Sequence, residues 1–363
     1  MIDKKALITT FHCCPNYGAV LQAYGLQEYL ASLFSDVQIL DYRPLSLVGQ
    51  YKYINTYSLA SILMSLWSLP SFYRKKRAFK RFEKNLHITT ESFDHKVDIT
   101  QQAFDYCFLG SDQIWNPEIT DGFDSVYFGD VPFPIGVKKI AYAASIGKSF
   151  FTEEETVQFK ALTARIDEIS MREEEAKDLV KKVTGRTAAV VVDPTILSGC
   201  DCFKKFIHKV RYSHYIFVYT LRSDSGAIEV ANQIATSKGL QIVQVSGVRK
   251  GLHFPKHKVI YDAGVEDFLS LIYHADYVVT DSFHGTAFSI LFHKGFITIP
   301  HKTRGGRMVS LLSKAGLLSR LSHQLTDELL RETIDWFDVD KRIDQVREES
   351  KNFLKSAIYD CEA

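Results

Sequence analysis

Short apolar runs alternate along this chain with longer stretches whose apolar residues recur every three or four positions. Runs of the first kind suit buried parallel strands, and stretches of the second kind suit helices with one packed face. The pattern predicts strands over residues 6–10, 36–42, 106–109, 139–144, 168–171 and 189–192. Helices are expected over 19–33, 153–162 and 173–182. A second series begins near Ile196, with strands over 215–221, 240–245, 277–279 and 296–299. Its helices are 226–237, 265–274, 287–292 and 308–315. Strand and helix alternate throughout, which argues for parallel, doubly wound α/β sheets.

Two stretches depart from the alternation. Residues 58–69 (SLASILMSLWSL) are apolar, Pro70 is expected to end that helix, and 72–84 (FYRKKRAFKRFEK) are basic with interleaved aromatics. This reads as a helical insert over 50–86. It is either packed on its domain or lies peripherally on a membrane through 58–84. From residue 327 to 355 acidic and basic residues alternate, as on exposed helices. The expected organisation is therefore a Rossmann-like domain over 1–195, a second over 196–335, and a C-terminal helix within 336–363 that crosses back to the first.

Polar residues sit where strands hand over to helices, and in open α/β sheets that edge binds ligands. The stretch YVVTDSFHGTAFSILF, residues 277–292, carries this furthest. His284 falls between a strand and a helix, where free N–H groups and the helix dipole favour an anion. Gly285 would let the backbone approach that ligand. The first strand–loop–helix has no G-x-G-x-x-G, so it is no dinucleotide fingerprint.

Bulk composition narrows the classes. Hydrophobic residues make up 46% and charged residues 24% of 363, as in globular proteins, and 363 residues suit two domains. A net charge of +1 gives no global field for nucleic acid. The six cysteines form no C-x-x-C pair, and neither His12-Cys13-Cys14 nor Cys200-x-Cys202 has structural metal spacing, so no metal is expected. The opening MIDKKALITTFHCC does not read as a signal peptide, and no apolar run reaches the ~20 residues of a spanning helix. A reduced, cytoplasmic protein is expected, with contact limited to the inner face of a membrane.

Ordered blocks over most of the chain carry a resemblance. They are NYGAVLQAYGLQ from Asn16, GSDQIWNP from Gly110, AYAASIG from Ala141, SMREEEAKDL from Ser170, VDPTIL from Val192, DSFHGTAFSILF from Asp281 and GGRMVSLLSKAGL from Gly305. On these the chain resembles the polysaccharide pyruvyl transferase family. The resemblance implies two Rossmann-like domains facing a cleft, as in GT-B glycosyltransferases. It implies transfer of a pyruvyl group from phosphoenolpyruvate, as co-substrate without a cofactor, to two sugar hydroxyls, forming a ketal. The acceptor would belong to a capsular or other cell-surface polysaccharide or its lipid-linked precursor. Donor binding would fall to the second domain and the acceptor to the first. Family members often carry arginine and leucine where this chain has Ser282 and Phe283. Two other readings compete, a GT-B glycosyltransferase with a nucleotide-sugar donor and a non-catalytic saccharide-binding protein.

The chemistry assigns the candidates. A small, highly charged donor wants arginine forks and a helix N-terminus, which points to Arg222, Arg304 and Arg307 with Ser282, Gly285 and Thr286. His284 would act as general acid or hold the phosphate. Asp112 or Asp193 would accept protons from the sugar. Asn16, Tyr17, Gly18, Ser111, Gln113, Trp115, Ser145 and Arg172 would meet the acceptor, with Trp115 stacking on a pyranose face. Arg172 could alternatively be neutralised by the acidic run 173–175 that follows it.

Overall fold

The computed structural model describes residues 2–51, 59–95, 97–100, 102–133, 135–222, 226–246, 256–300 and 305–359, and of 59–67 the helix path alone. The chain divides into two compact units. Met1–Tyr51, Asn85–Ser198 and Ile343–Ala363 form unit 1, and Lys52–Lys84 with Gly199–Arg342 form unit 2.

Unit 1 is built on a seven-stranded parallel sheet. Its strands are β1 (Ile2–Thr9), β2 (Phe34–Tyr42), β3 (Ile88–Phe93), β4 (Tyr106–Leu109), β5 (Lys138–Ala144), β6 (Glu168–Met171) and β7 (Ala189–Val190), in the order β3-β2-β1-β4-β5-β6-β7. The chain winds outward from β1 to β3, then from β4 to β7, so the direction switches between β1 and β4. Leu7, Leu109, Ala141, Ile169 and Met171 are fully or almost fully buried in its core. Aromatic packing extends that core, with Trp115 stacked on Phe128 at 5.0 Å between centroids and meeting Phe159 edge-on.

Unit 2 carries a five-stranded parallel sheet, β10-β9-β8-β11-β12. Its strands are β8 (Tyr215–Tyr219), β9 (Gln241–Val245), β10 (Lys258–Ile260), β11 (Tyr277–Thr280) and β12 (Gly295–Thr298). The winding direction switches here between β8 and β11. Ile216, Val218, Val279 and Ile297 form the core together with Val230 and Ile234 from the Ala227–Lys238 helix.

Two expectations about the insert change. Pro70 lies inside one helix, Leu59–Glu83, and does not end it. That helix also groups with unit 2, not with the first domain. The reason is its packing: Phe82 meets Phe206 at 4.9 Å between ring centroids, and Arg74 pairs with Asp262 at 2.5 Å. Arg81 approaches Glu266 at 3.6 Å. The 50–58 stretch divides: residues 52–58, and the side chains of 59–67 including Trp67, lie outside the described residues. The C-terminal helix runs from Trp336 to Tyr359, and its residues from Ile343 onward belong to unit 1. Ser350 Oγ accepts from the Val192 N–H at 3.0 Å, and Arg347 donates to the Ile196 carbonyl at 2.8 Å. Among the described residues no helix is long and apolar enough to cross a membrane.

Candidate active site

In unit 1 the carboxyl ends of β4, β5, β6 and β7 bring one polar cluster together. β4 stops at Gly110, whose φ of 121° suits glycine and where a Cβ would collide with the Tyr142 carbonyl. The turn delivers Ser111 and Asp112. Arg172, just after β6, donates to Asp193 at 2.7 Å and reaches Asp112 at 3.4 Å. Burial works against its charge, but Asp193, Asp112 and Glu173 outweigh that and hold it more firmly protonated than a free guanidinium. Glu173 is also buried. It accepts from Ser145 Oγ at 2.8 Å and from the Ile146 N–H at 3.2 Å. Its other oxygen, Oε2, has no hydrogen-bond partner among the described residues.

Several candidates take different roles from those expected. Asp193 has no exposed side-chain surface. One of its oxygens takes Thr195 N–H and Oγ1 at 2.9 and 2.7 Å, and the other takes Arg172 and Ser111 Oγ. With both oxygens engaged it positions Arg172 and offers no edge to a sugar proton. Trp115 is fully buried and donates to the Tyr127 carbonyl at 3.0 Å, so both faces serve the core and none is left for a pyranose. Tyr17 and Gly18 are buried in the first helix, and Asn16 spends its carbonyl oxygen capping that helix at Gly18 and Ala19. Gln113 is half-buried, its Oε1 accepting from Asn116 at 2.9 Å. Of the unit 1 candidates Asn16 and Gln113 keep partial exposure, and Asp112 is buried but less completely than Asp193. Glu173 is a site residue that the sequence pattern does not mark. Its position, directly after Arg172 at a strand's carboxyl end, was the available signal, but it was obscured by the acidic run in which Glu174 and Glu175 are exposed.

A second cluster closes the ends of β1 and β2. His12 meets Asp41 at 3.1 Å through Nε2 and the Thr10 carbonyl at 3.2 Å through Nδ1. Arg43 donates to Asp41 at 2.6 Å. Burial opposes ionisation of Asp41, but these two partners outweigh it and keep the carboxyl below its usual range. Among the described residues no group of three His, Cys, Asp or Glu side chains is placed to hold a metal ion.

Unit 2 gathers a different set at its switch point. Asp281, just after β11, is buried and accepts from the N–H groups of Leu221 and Arg222 at 2.6 and 3.2 Å. Burial pushes its carboxyl above the usual range. Arg222 approaches Asp281 at 3.4 Å and donates to the Pro300 carbonyl at 3.1 Å, while a quarter of its side chain stays exposed. Ser282 caps the Phe283–Leu291 helix, accepting from the Gly285 N–H at 3.4 Å. His284 lies in that helix's first turn and is 6% exposed.

Two residues of the motif face inward. A Cβ on Gly285 would collide with the Thr280 side chain, so this glycine lets the helix sit close on β11 and does not open room for a ligand. Thr286 bonds the Ser282 carbonyl at 3.1 Å and Thr298 at 2.8 Å, which ties the helix to β12. Arg307 stands at the start of the Gly306–Lys314 helix, half-buried. Arg304 lies outside the described residues.

A profile of the family described as polysaccharide pyruvyl transferase matches residues 16–303. The chain belongs to this family. The match spans both switch points and makes the chain a transferase by family. Among curated proteins none matches the chain. Solved structures share the fold at low identity. Staphylococcus aureus MnaA in complex with UDP has a TM-score of 0.52 at 12% identity, covering 98% of this chain and 97% of that one. A UDP-N-acetylglucosamine 2-epimerase from Rickettsia bellii has a TM-score of 0.50 at 10% identity, covering 99% and 98%. These likenesses show a GT-B-type α/β fold made of two Rossmann-like halves.

Proposed function

We propose that this polysaccharide pyruvyl transferase takes its pyruvyl group from phosphoenolpyruvate and forms a ketal on two hydroxyls of a cell-surface saccharide. One observation carries the reading: His284 sits in the first turn of a capped helix at the switch point of unit 2, where Arg222 pairs with Asp281 just ahead of that helix. The helix N-terminus and a partly exposed guanidinium suit a donor that carries a phosphate and a carboxylate. Arg222 stands in for the arginine that the family often carries at the position of Ser282.

The reaction starts with a proton delivered to C3 of the enol, which makes C2 electrophilic. One sugar hydroxyl attacks C2 and loses its proton, and the C2–O bond to phosphate breaks. The second hydroxyl adds to C2 and loses its proton, so the net products are the ketal and inorganic phosphate. His284 either supplies the C3 proton or holds the leaving phosphate. Asp112, the more exposed of the two candidate carboxylates, accepts a hydroxyl proton. Gln113 and Ser145 belong to the acceptor side, with Glu173 Oε2 as a further acceptor for a sugar hydroxyl.

The test is mass spectrometry of lipid-linked saccharides incubated with the enzyme and phosphoenolpyruvate. A gain of one pyruvate less one water, with phosphate released, is expected. His284→Ala should lower turnover about 10²-fold if the imidazole is the acid, and should mainly weaken donor affinity if it holds phosphate. Transfer of a sugar from a sugar nucleotide, with phosphoenolpyruvate inert, would replace this reading with that of a glycosyltransferase.

A further inference from the structure

Unit 2 contains a second charged feature that the transfer reaction does not use. A cavity of about 660 Å³ opens between the Leu59–Glu83 helix, the segment leading into β8, and the Val265–Tyr273 helix. Five cationic side chains line it, Arg74, Arg77, Arg81, Lys209 and Arg211, against two acidic ones, Asp262 and Asp267. The acids are largely spoken for: Asp262 holds Arg74 at 2.5 Å, and Asp267 faces His208 at 3.2 Å. Arg81 approaches Glu266 at the rim.

Arg77, Lys209 and Arg211 have no acidic partner among the described residues. Arg211 is oriented by Tyr212, donating to its hydroxyl at 2.9 Å and lying over its ring at 5.1 Å. All three are exposed and individually hydrated, so their proximity costs little, but a concave surface lined by one sign of charge focuses a positive potential that attracts an anion. Part of the wall is apolar, with Ala78, Val210 and Leu271, which suits a ligand that has an organic portion. None of these residues belongs to the switch point that carries His284.

We propose that this cavity binds a phosphate ester, its phosphate held by Arg77, Lys209 and Arg211. Arginine forks fit tetrahedral oxyanions, and the volume is that of a small-ligand site. The ester has two sources, a soluble metabolite or the headgroup of an anionic lipid. The same unbroken helix continues from the basic run into the apolar sequence of 59–69, which allows the second source. The internal pairing of Arg74 and Arg81 narrows the earlier membrane expectation from a whole basic face to this pocket.

The experiment uses the full chain with two probes, glycerol 3-phosphate by calorimetry and flotation with phosphatidylglycerol vesicles at low salt. Three proteins are compared: wild type, Arg77→Glu/Lys209→Glu in the cavity, and Lys76→Glu/Lys80→Glu on the same helix outside its lining. Arg77→Gln/Lys209→Gln replaces the cavity pair if charge reversal prevents folding. Wild type should bind, the cavity pair should lose affinity about tenfold or more, the scale of a lost charge-assisted hydrogen bond, and the control pair should not. Binding of both probes supports a site open to soluble esters, and binding of vesicles alone supports a lipid-borne one. Failure to bind both glycerol 3-phosphate and the vesicles overturns the proposal. So does equal loss in the control pair, which would mark a diffuse basic surface, or binding that the cavity pair leaves unchanged.

Discussion

The two sheet edges are built from similar parts but balanced oppositely. At the edge of unit 1 one guanidinium, Arg172, faces three carboxylates, Asp112, Asp193 and Glu173, and all are buried. At the edge of unit 2 Arg222 faces, among the described residues, one carboxylate, Asp281, whose oxygens are also held by two backbone N–H groups, and the helix that follows Asp281 carries His284 in its first turn. The first edge is rich in acceptors and repels an anion, so it suits hydroxyls. The second leaves positive potential available, so it suits phosphate and carboxylate. This contrast is what supports placing the acceptor on unit 1 and the donor on unit 2.

The largest expected effect comes from removing the centre of the first edge. Arg172→Ala strands Asp193 in a site with no exposed surface, so unfolding free energy should fall by about 3–5 kcal/mol, read by denaturant titration. A loss under 1 kcal/mol would mean that the cluster is hydrated and that the contrast is overstated. Next is the packing of the second edge. Gly285→Ala should cost about 1–3 kcal/mol through its collision with the Thr280 side chain, which is held in place by its bonds to the Tyr219 carbonyl and the Ser282 N–H, and denaturant titration reads the loss. Undiminished stability together with weakened donor binding would return Gly285 to a ligand-facing role.

A smaller effect is expected from His12, Asp41 and Arg43. The folded carboxyl of Asp41 ionises below its usual value near 3.9, so its contribution is complete above that value. As pH falls, the unfolded chain takes up the proton first, and the stabilisation is lost as pH drops through the folded pKa. Asp41→Asn should therefore flatten the acid limb of the stability profile. An unchanged limb would show that other carboxylates set it.

Much of this was readable from the residues. The strands over 106–109 and 168–171 match the observed bounds: the first is an unbroken buried apolar run, and the second buries Ile169, Ser170 and Met171 behind an exposed Glu168. β3 and β10 carry no such pattern: both are edge strands, β3 buries only Thr89, and β10 has three residues. The strand–helix position of His284 was legible from its flanks. The direction in which a side chain points was not, since Trp115, Thr286 and Gly285 occupy motif positions yet face the interior. Pro70 is a false stop: the helix runs through it with Pro70 exposed, and its packed residues Ala78, Phe79 and Phe82 lie two turns or more further on.

The division of labour is tested most directly by calorimetric titration of phosphoenolpyruvate into wild type, Arg222→Ala and Asp112→Asn. The account predicts binding to wild type, a loss of about 2–3 kcal/mol in Arg222→Ala, as for a charge-assisted contact, and undiminished affinity in Asp112→Asn. Full affinity in Arg222→Ala together with loss in Asp112→Asn would place the donor on unit 1 and contradict it.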